Sequence, residues 1–578
     1  MMRRIRAGAW LLVLVAACGG NNGDGKDKKS APDSGTPDSP TPPLETGDTA
    51  TVPTELHDTA VMPFPSTLDE GGVIQCQDSA ARYNTKFDTM TINGEGPPAL
   101  RMYGAGGAIG DLDGNGLKDI LLLGEVENFL LMQKTPDEYI INPPGLLPDI
   151  DMTNAFGASV ADMDDDGDLD VVITRFMRPD RLLLNDGTGH FTDVAEARGL
   201  DVTNHTSSSS SWGDYDADGD LDLVVGGYGD ILEDGTEPSD FPGADETILY
   251  QNDGQGYFTD MRNLIPTAAD LKDPNNVQSG YTFLATFIDV HNDGYPDLYL
   301  INDIGGAFTP GKMVWNNGGT FTVDDGSAGL HVAASGMGLG IGDTNGDGVV
   351  DFAVPAWGRV LFLESAANAN LWVNVANSKG VIPRPNEPHI QVVGWGAELA
   401  DMDNDTDLDI PVAFGFITTS QVGNPDQQGD ALWLRQDDGT YFDAGMVWGV
   451  DDRTPARGLI ASDLNNDGYL DLLKPAVNAH HLLKLSVCGD DAWMRVNLRQ
   501  PAPNVRAVGA RVRLHFFGRM LERTVLGGGT GYATGRDPEV HFGLGDADTV
   551  DRIEVIWPDG EVSWHEDVSS KQILTITR

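Results

Sequence analysis

A nine-residue acidic pattern recurs seven times along this chain, beginning at Asp111, Asp162, Asp214, Asp289, Asp343, Asp401 and Asp463. Asp or Asn residues return at alternate positions, a Gly usually holds the sixth place, and an Asp always holds the ninth. The copies lie 51 to 75 residues apart. A period of that length means one supersecondary unit repeated and stacked on its neighbours, because no single unit of that size can bury its own apolar face.

The residues around each copy define the unit. A short apolar run follows every loop, as in Ile120-Leu121-Leu122-Leu123 and Val171-Val172-Ile173, and reads as a buried strand. Small or apolar segments such as Gly157-Ala158-Ser159-Val160-Ala161 precede several loops, so the loop joins two strands. Some 15 to 30 residues later comes a second turn, exemplified by Leu184-Asn185-Asp186-Gly187 and Tyr250-Gln251-Asn252-Asp253-Gly254. Asn-Asp-Gly between apolar segments is a hairpin signal. Two hairpins give four strands, which is one propeller blade. The expected fold is all-β: a seven-bladed β-propeller over 71–490, with a small β-sandwich over 491–578.

Oxygen at positions 1, 3 and 5, a backbone carbonyl at 7 and a carboxylate at 9 describe a tight loop around a hard cation such as calcium. The candidate ligands are Asp111, Asp113, Asn115, Leu117 and Asp119 in loop 1; Asp162, Asp164, Asp166, Asp168 and Asp170 in loop 2; and Asp214, Asp216, Asp218, Asp220 and Asp222 in loop 3. Loop 4 offers Asp289, Asp293, Tyr295 and Asp297, and loop 5 offers Asp343, Asn345, Asp347, Val349 and Asp351. Loop 6 offers Asp401, Asp403, Asp405, Asp407 and Asp409, and loop 7 offers Asp463, Asn465, Asp467, Tyr469 and Asp471. Up to seven Ca2+ ions are expected. His291 takes position 3 of loop 4, where imidazole is a poor ligand for a hard ion, so that site should be the weakest. Thr406 replaces the Gly of loop 6 and should strain a left-handed turn. An EF-hand is excluded, because position 12 is never Glu.

With these motifs in view, the loops resemble FG-GAP/VCBS repeats. Ala155-Phe156-Gly157-Ala158 lies close to the motif that names them, and the resemblance implies a seven-bladed propeller with calcium on one rim. The last stretch resembles the ASPIC/UnbV domain through Val508-Gly509-Ala510-Arg511-Val512, Gly528-Gly529-Thr530-Gly531-Tyr532, His541-Phe542-Gly543-Leu544-Gly545 and Val555-Ile556-Trp557-Pro558-Asp559-Gly560. Together the two resemble bacterial relatives of the cartilage acidic protein family, which implies a secreted or surface calcium-binding protein. A charge break marks the join, since residues 491–578 carry 11 basic and 12 acidic side chains whereas the whole chain carries 37 and 89. The Gly527-Gly528-Gly529 run reads as a sharp bend or bulge, and His541 as a packing residue.

Residues 1–18 join a basic start to a short apolar run, as a secretory signal does. Val15-Ala16-Ala17-Cys18 resembles the bacterial lipobox, which implies lipidation at Cys18 and placement in the bacterial cell envelope, at the outer membrane or cell surface. Residues 19–70 are poor in large apolar side chains and read as a disordered tether spanning about 35–40 Å as a random coil. Cys76 and Cys488 flank the repeats, and in an oxidising compartment they are expected to form a ring-closing disulfide. A net charge of −52 excludes nucleic acid as a partner. The expected function is a surface-anchored calcium-binding propeller acting in adhesion or ligand binding, with a protein or glycan partner and a membrane link only through the lipid. The Tyr228–Tyr281 insertion is a candidate contact region, and Trp212 and Trp395 are candidate sugar-stacking aromatics. The alternative is a calcium-dependent polysaccharide hydrolase or lyase. No catalytic serine elbow, zinc helix or Cys/His cluster is present in the sequence, so no catalytic residue is assigned.

Overall fold

The computed structural model describes residues 61–63, 83–85 and 104–578, apart from 125–127, 137, 230–243, 267–279, 307–308, 367–369, 385–391, 417–427, 478–481 and 487–488. The expectations for the signal, Cys18, Cys76, Cys488 and half of the Tyr228–Tyr281 insertion lie outside the described residues.

Each acidic loop joins the first and second strands of a four-stranded antiparallel unit. The first strands are Gly106–Gly110, Ala155–Ala161, Ser207–Gly213, Tyr281–Ile288, Gly340–Gly342, Gly394–Ala397 and Ile460–Ser462. The second strands begin at the ninth loop residue in six units, and in the sixth Asp409 bridges Ala400 just before Ile410–Phe414. The third and fourth strands form the second hairpin, as in Arg181–Asn185 paired with Phe191–Asp193. Seven such units are described, and the last is completed from the other end of the repeat array. Its first three strands lie in 460–486, and its fourth is Tyr83–Thr85, antiparallel to Leu482–Ser486. Val61–Pro63, which composition places in the tether, instead pair with Glu138–Ile141 on the edge of the first unit.

Apolar clusters fill the space between consecutive units. Leu121, Leu130, Val160 and Val171 join units 1 and 2, and equivalent clusters join each following pair. The set closes on itself: Ile109, Ile120 and Leu131 of the first unit pack with Ile460, Leu464 and Leu473 of the last. The molecule is a nearly all-β propeller, and both faces of its strands are buried because each sheet has a neighbour on both sides.

The C-terminal strands form two facing sheets. One holds Val540–Gly545, Ala492–Arg499 and Gln572–Thr577; the other holds Arg519–Thr524, Arg511–Phe516, Thr549–Ile556 and Val562–Ser569. Alternation along Arg511–Phe516 puts Val512, Leu514 and Phe516 in a shared core with Val496, Phe542 and Ile553. These strands belong to one compact unit with the propeller, His57–Arg578.

The glycine-rich run is not a simple bend. Gly527–Gly531 and Thr534–Arg536 make a hairpin that leaves the sandwich and enters the propeller. The first strand pairs with Ser207–Gly213 and the second runs parallel to Gly106–Gly110. Glycine is needed because the backbones nearly touch: a side chain on Gly106 would run into the Ala533 carbonyl, and one on Gly157 into the Ala533 backbone. At the tip Tyr532 is fully buried among Phe156, Phe283 and Trp395, with ring centroids 5.0 to 5.5 Å away. The hairpin therefore fills the middle of the ring.

Candidate metal centre

All seven loops share one wiring scheme. The first Asp accepts, through Oδ2, the backbone N–H of position 6, at 2.9 to 3.0 Å, whether that residue is Gly116, Gly167, Gly219, Gly294, Gly348, Thr406 or Gly468. The side chain of position 5 accepts the N–H of position 7 in every copy. Position 6 is left-handed throughout, including Thr406 at φ 90°. A β-branched residue there costs about 1–2 kcal/mol, and Thr406 keeps the turn nonetheless.

The ninth Asp is the anchor. Its Oδ2 accepts the N–H of position 2, from Leu112, Met163, Tyr215, Val290, Thr344, Met402 and Leu464. Its Oδ1 accepts an N–H from the third strand, from Gln133, Asn185, Asn252, Asn316, Ser365, Arg435 and Ser486. These seven carboxylates are 0 to 1% exposed. Loop spacing assigns them a ligand role only, yet each also ties loop to sheet. The hairpin Asn residues carry a second role that turn chemistry hides. Nδ2 of Asn185, Asn252 and Asn316 donates to the position-2 carbonyl of another unit's loop, that of Leu112, Met163 and Tyr215, at 2.6 to 2.8 Å. Gln133 makes the same link from the first unit to Leu464 of the last.

Burial sets the electrostatics. It pushes the carboxyl of Asp119 up to about 8 and that of Asp222 up to about 9, against the two backbone N–H groups that each accepts. Asp162 and Asp214, at position 1, rise to about 7 for the same reason, with neighbouring loop carboxylates adding repulsion. Removing several carboxylates from water needs a compensating positive charge. Among the described residues, four groups bring three carboxylates within 4.8 Å of one another: Asp111, Asp113 and Asp119; Asp162, Asp164 and Asp170; Asp214, Asp216 and Asp218; Asp401, Asp403 and Asp409. All four come from the loops with Asp at position 3. Buried Oδ1 atoms of Asp111, Asp113, Asp162, Asp164 and Asp216 have no hydrogen-bond partner among the described residues. Clustered hard oxygens with orphaned lone pairs fit a divalent cation.

Loop 4 differs. Nδ1 of His291 lies 3.5 Å from Oδ2 of Asp297, and its ring lies 4.9 Å from that of Trp315. A hydrogen bond to Asp297 raises the pKa of His291, and the ring stands where the other loops place an oxygen. In loops 5 and 7 position 3 is Asn345 and Asn465. Asn465 turns to Asp467 at 2.9 Å, and Asn345 reaches Ser365. At position 7, the carboxylate of Asp407 pairs with Arg435 at 2.6 Å, leaving the backbone as the candidate donor there.

The aromatic candidates are core residues. Trp212 and Trp395 are 1% and 0% exposed. His541 packs as expected, with Nε2 donating to the Gly468 carbonyl at 2.9 Å, and burial lowers its pKa to about 4.

Residues 162–225 match the FG-GAP-like repeat, and residues 500–578 match ASPIC and UnbV. The chain carries both. Cartilage acidic protein 1 of Xenopus tropicalis is 27% identical over 282 residues, covering 47% of this chain and 41% of that protein. This chain is its distant homologue. The match spans about 40% of the length of the curated relatives. Among solved structures, a lectin of Agrocybe aegerita described as recognising non-reducing terminal N-acetylglucosamine aligns at 16% identity and TM-score 0.37, covering 60% of this chain and 84% of that one. A six-bladed propeller lectin of Aleuria aurantia, described with a fucose recognition mode, aligns at 10% identity and TM-score 0.30, covering 60% and 96%.

Proposed function

We propose that this chain is a seven-bladed, calcium-loaded propeller, spanning 71–490 and capped by a domain over 491–578, that binds a protein or glycan ligand at a bacterial cell surface. The observation that carries it is the shared wiring of seven loops around buried carboxylates, with orphaned Oδ1 atoms in loops 1 to 3. Calcium would sit against the side chains of positions 1, 3, 5 and 9, supplying positive charge to carboxylates whose pKa burial raises. The role is binding rather than catalysis, with loop carboxylates committed to wiring and metal. Lipidation at Cys18 and a Cys76–Cys488 disulfide complete the proposal.

The hairpin fills the middle of the ring, which leaves the ligand a different recess. A cavity of about 500 Å3 opens between loops 3 and 4 and the C-terminal strands, lined by Trp212, Phe287, Pro503 and Leu526. Gln500 also lines it, and its buried Oε1 has no partner among the described residues. Calorimetric titration of the chelator-treated full chain with CaCl2 tests the metal reading. Several high-affinity sites are expected, and absence of heat at any calcium concentration up to millimolar contradicts it. A glycan and surface-protein array probed with and without chelator then tests the ligand reading; turnover of a polysaccharide would replace it with the enzyme.

A further inference from the structure

The C-terminal sandwich sits on the acidic loops, and it touches them at particular places. In loop 2 the Val505 N–H donates to Oδ1 of Asp165 at 3.2 Å, and Arg506 Nη2 donates to the Gly167 carbonyl at 2.8 Å. In loop 6 the Gly545 N–H donates to the Asn404 carbonyl at 2.7 Å, and Arg519 Nη1 donates to Thr406 Oγ1 at 3.1 Å. In loop 7 Arg495 Nη2 donates to Oδ1 of Asn466 at 2.8 Å, and His541 donates to the Gly468 carbonyl. Asp165, Asn404 and Asn466 all hold position 4; Gly167, Thr406 and Gly468 all hold position 6. Loop 3 repeats the theme, with Pro503 seated against Gly219 at position 6.

Each of these loops thus has two uses on alternate residues. The odd positions carry the candidate metal ligands, and the even positions 4 and 6 carry the domain contacts. Arg495 reaches further, donating also to Oδ2 of Asp463 at position 1, at 3.0 Å. Both even positions are left-handed: φ is 61° and 100° in loop 2, 63° and 90° in loop 6, 60° and 88° in loop 7. At Asp165, Asn404, Thr406 and Asn466, which are not glycine, such backbone persists only where its surroundings fix it. The bond from position 6 to the first Asp holds the turn, and a cation gripping positions 1, 3 and 5 would hold it further.

We propose that metal loading of loops 2 and 6 and seating of the C-terminal domain are reciprocally linked, each strengthening the other. The partner of this rim is then the chain's own ASPIC and UnbV domain rather than an outside ligand. The inference rests on the calcium reading but can fail without it. Linkage is symmetric, so loosening the sandwich from a loop must weaken calcium in that loop.

Two experiments on the full chain test this. Hydrogen exchange with and without chelator should show amides of 503–508 and 540–545 exchanging at least tenfold faster when calcium is removed, while 549–556 and 562–569 stay protected. Calcium titrations of variants supply the reciprocal arm. Arg519→Ala removes the bond to Thr406 without touching a candidate ligand, and should weaken calcium about fivefold at loop 6, although loss of a positive charge would by itself tighten a cation. Arg506→Ala provides a second route. Removing a positive charge beside loop 2 would by itself tighten a cation, whereas linkage predicts about fivefold weaker binding. Calcium that binds normally while these amides are unmoved, or Arg506→Ala that binds calcium more tightly, overturns the linkage and leaves the calcium reading standing. No calcium binding at all overturns both.

Discussion

Loops 2 and 4 share a backbone and differ in chemistry. In both, position 1 accepts the position-6 N–H, at 3.0 and 2.9 Å, and position 9 accepts from position 2 and from the third strand. Loop 2 then presents Asp164, with a buried Oδ1 lacking a partner, and carries the sandwich on Asp165 and Gly167. Loop 4 presents His291, which turns its ring to Asp297 in place of an oxygen ligand. The turn therefore does not depend on a full ligand set. The wiring is a folding device common to all seven copies, and we read metal binding as a second property laid over it where position 3 supplies oxygen.

The largest expected effect comes from the ninth position. Asp170→Ala leaves the buried N–H groups of Met163 and Asn185 without acceptors, at about 1–3 kcal/mol each, and should lower the thermal midpoint further in calcium than in chelator. Asp297→Ala should cost a similar amount in both conditions. Equal calcium dependence in the two variants would dissolve the distinction between the loops. Next is conversion of loop 4: His291→Asp should destabilise the chain in chelator, by adding a like charge, and stabilise it in calcium by about 2.7 kcal/mol when the ion is at 100 times its Kd. Calorimetry in the two buffers reads both signs.

A subtler test separates charge from wiring. Asp162→Asn retains an oxygen for the Gly167 N–H but loses a negative charge, so calcium at loop 2 should weaken about tenfold, ~1.4 kcal/mol, with little change in chelator. Asp289→Asn should barely alter calcium binding. The smallest effect is set by pH. Burial holds His541, which bonds to loop 7, at about 4. A pKa below the unfolded value of about 6.5 means stability present above pH 6.5 and lost as pH falls toward 4. Protection along 540–545, taken relative to the unfolded-chain exchange rate at each pH, should fall over that range, and His541→Gln should flatten the response.

The comparison also shows what a sequence exposes. Seven loops at a long period, two hairpins per repeat and the odd chemistry of His291 are written in local spacing, and the propeller fold follows from them. Thr406 is legible as a left-handed position because its six counterparts are Gly. What spacing hides are contacts distant in the chain. Tyr83–Thr85, the closing strand, has no pattern of its own and is defined by its partner Leu482–Ser486. Asn185 reads as a turn residue because its reach to Leu112 crosses between units. Gly527–Gly531 reads as a bend, since glycine signals close backbone approach without naming what approaches; here it is the first strands of propeller units. The even loop positions carry a signal open to reading, because Asp165, Asn404 and Asn466 are polar residues at a place outside the ligand pattern.

Crystals of the full chain grown in calcium and measured for anomalous scattering test the central claim most directly. The account predicts peaks within loops 1, 2, 3 and 6, each bounded by the side chains of positions 1, 3 and 5, with the weakest or no peak at loop 4. Loops that keep this wiring but hold no anomalous peak would contradict it.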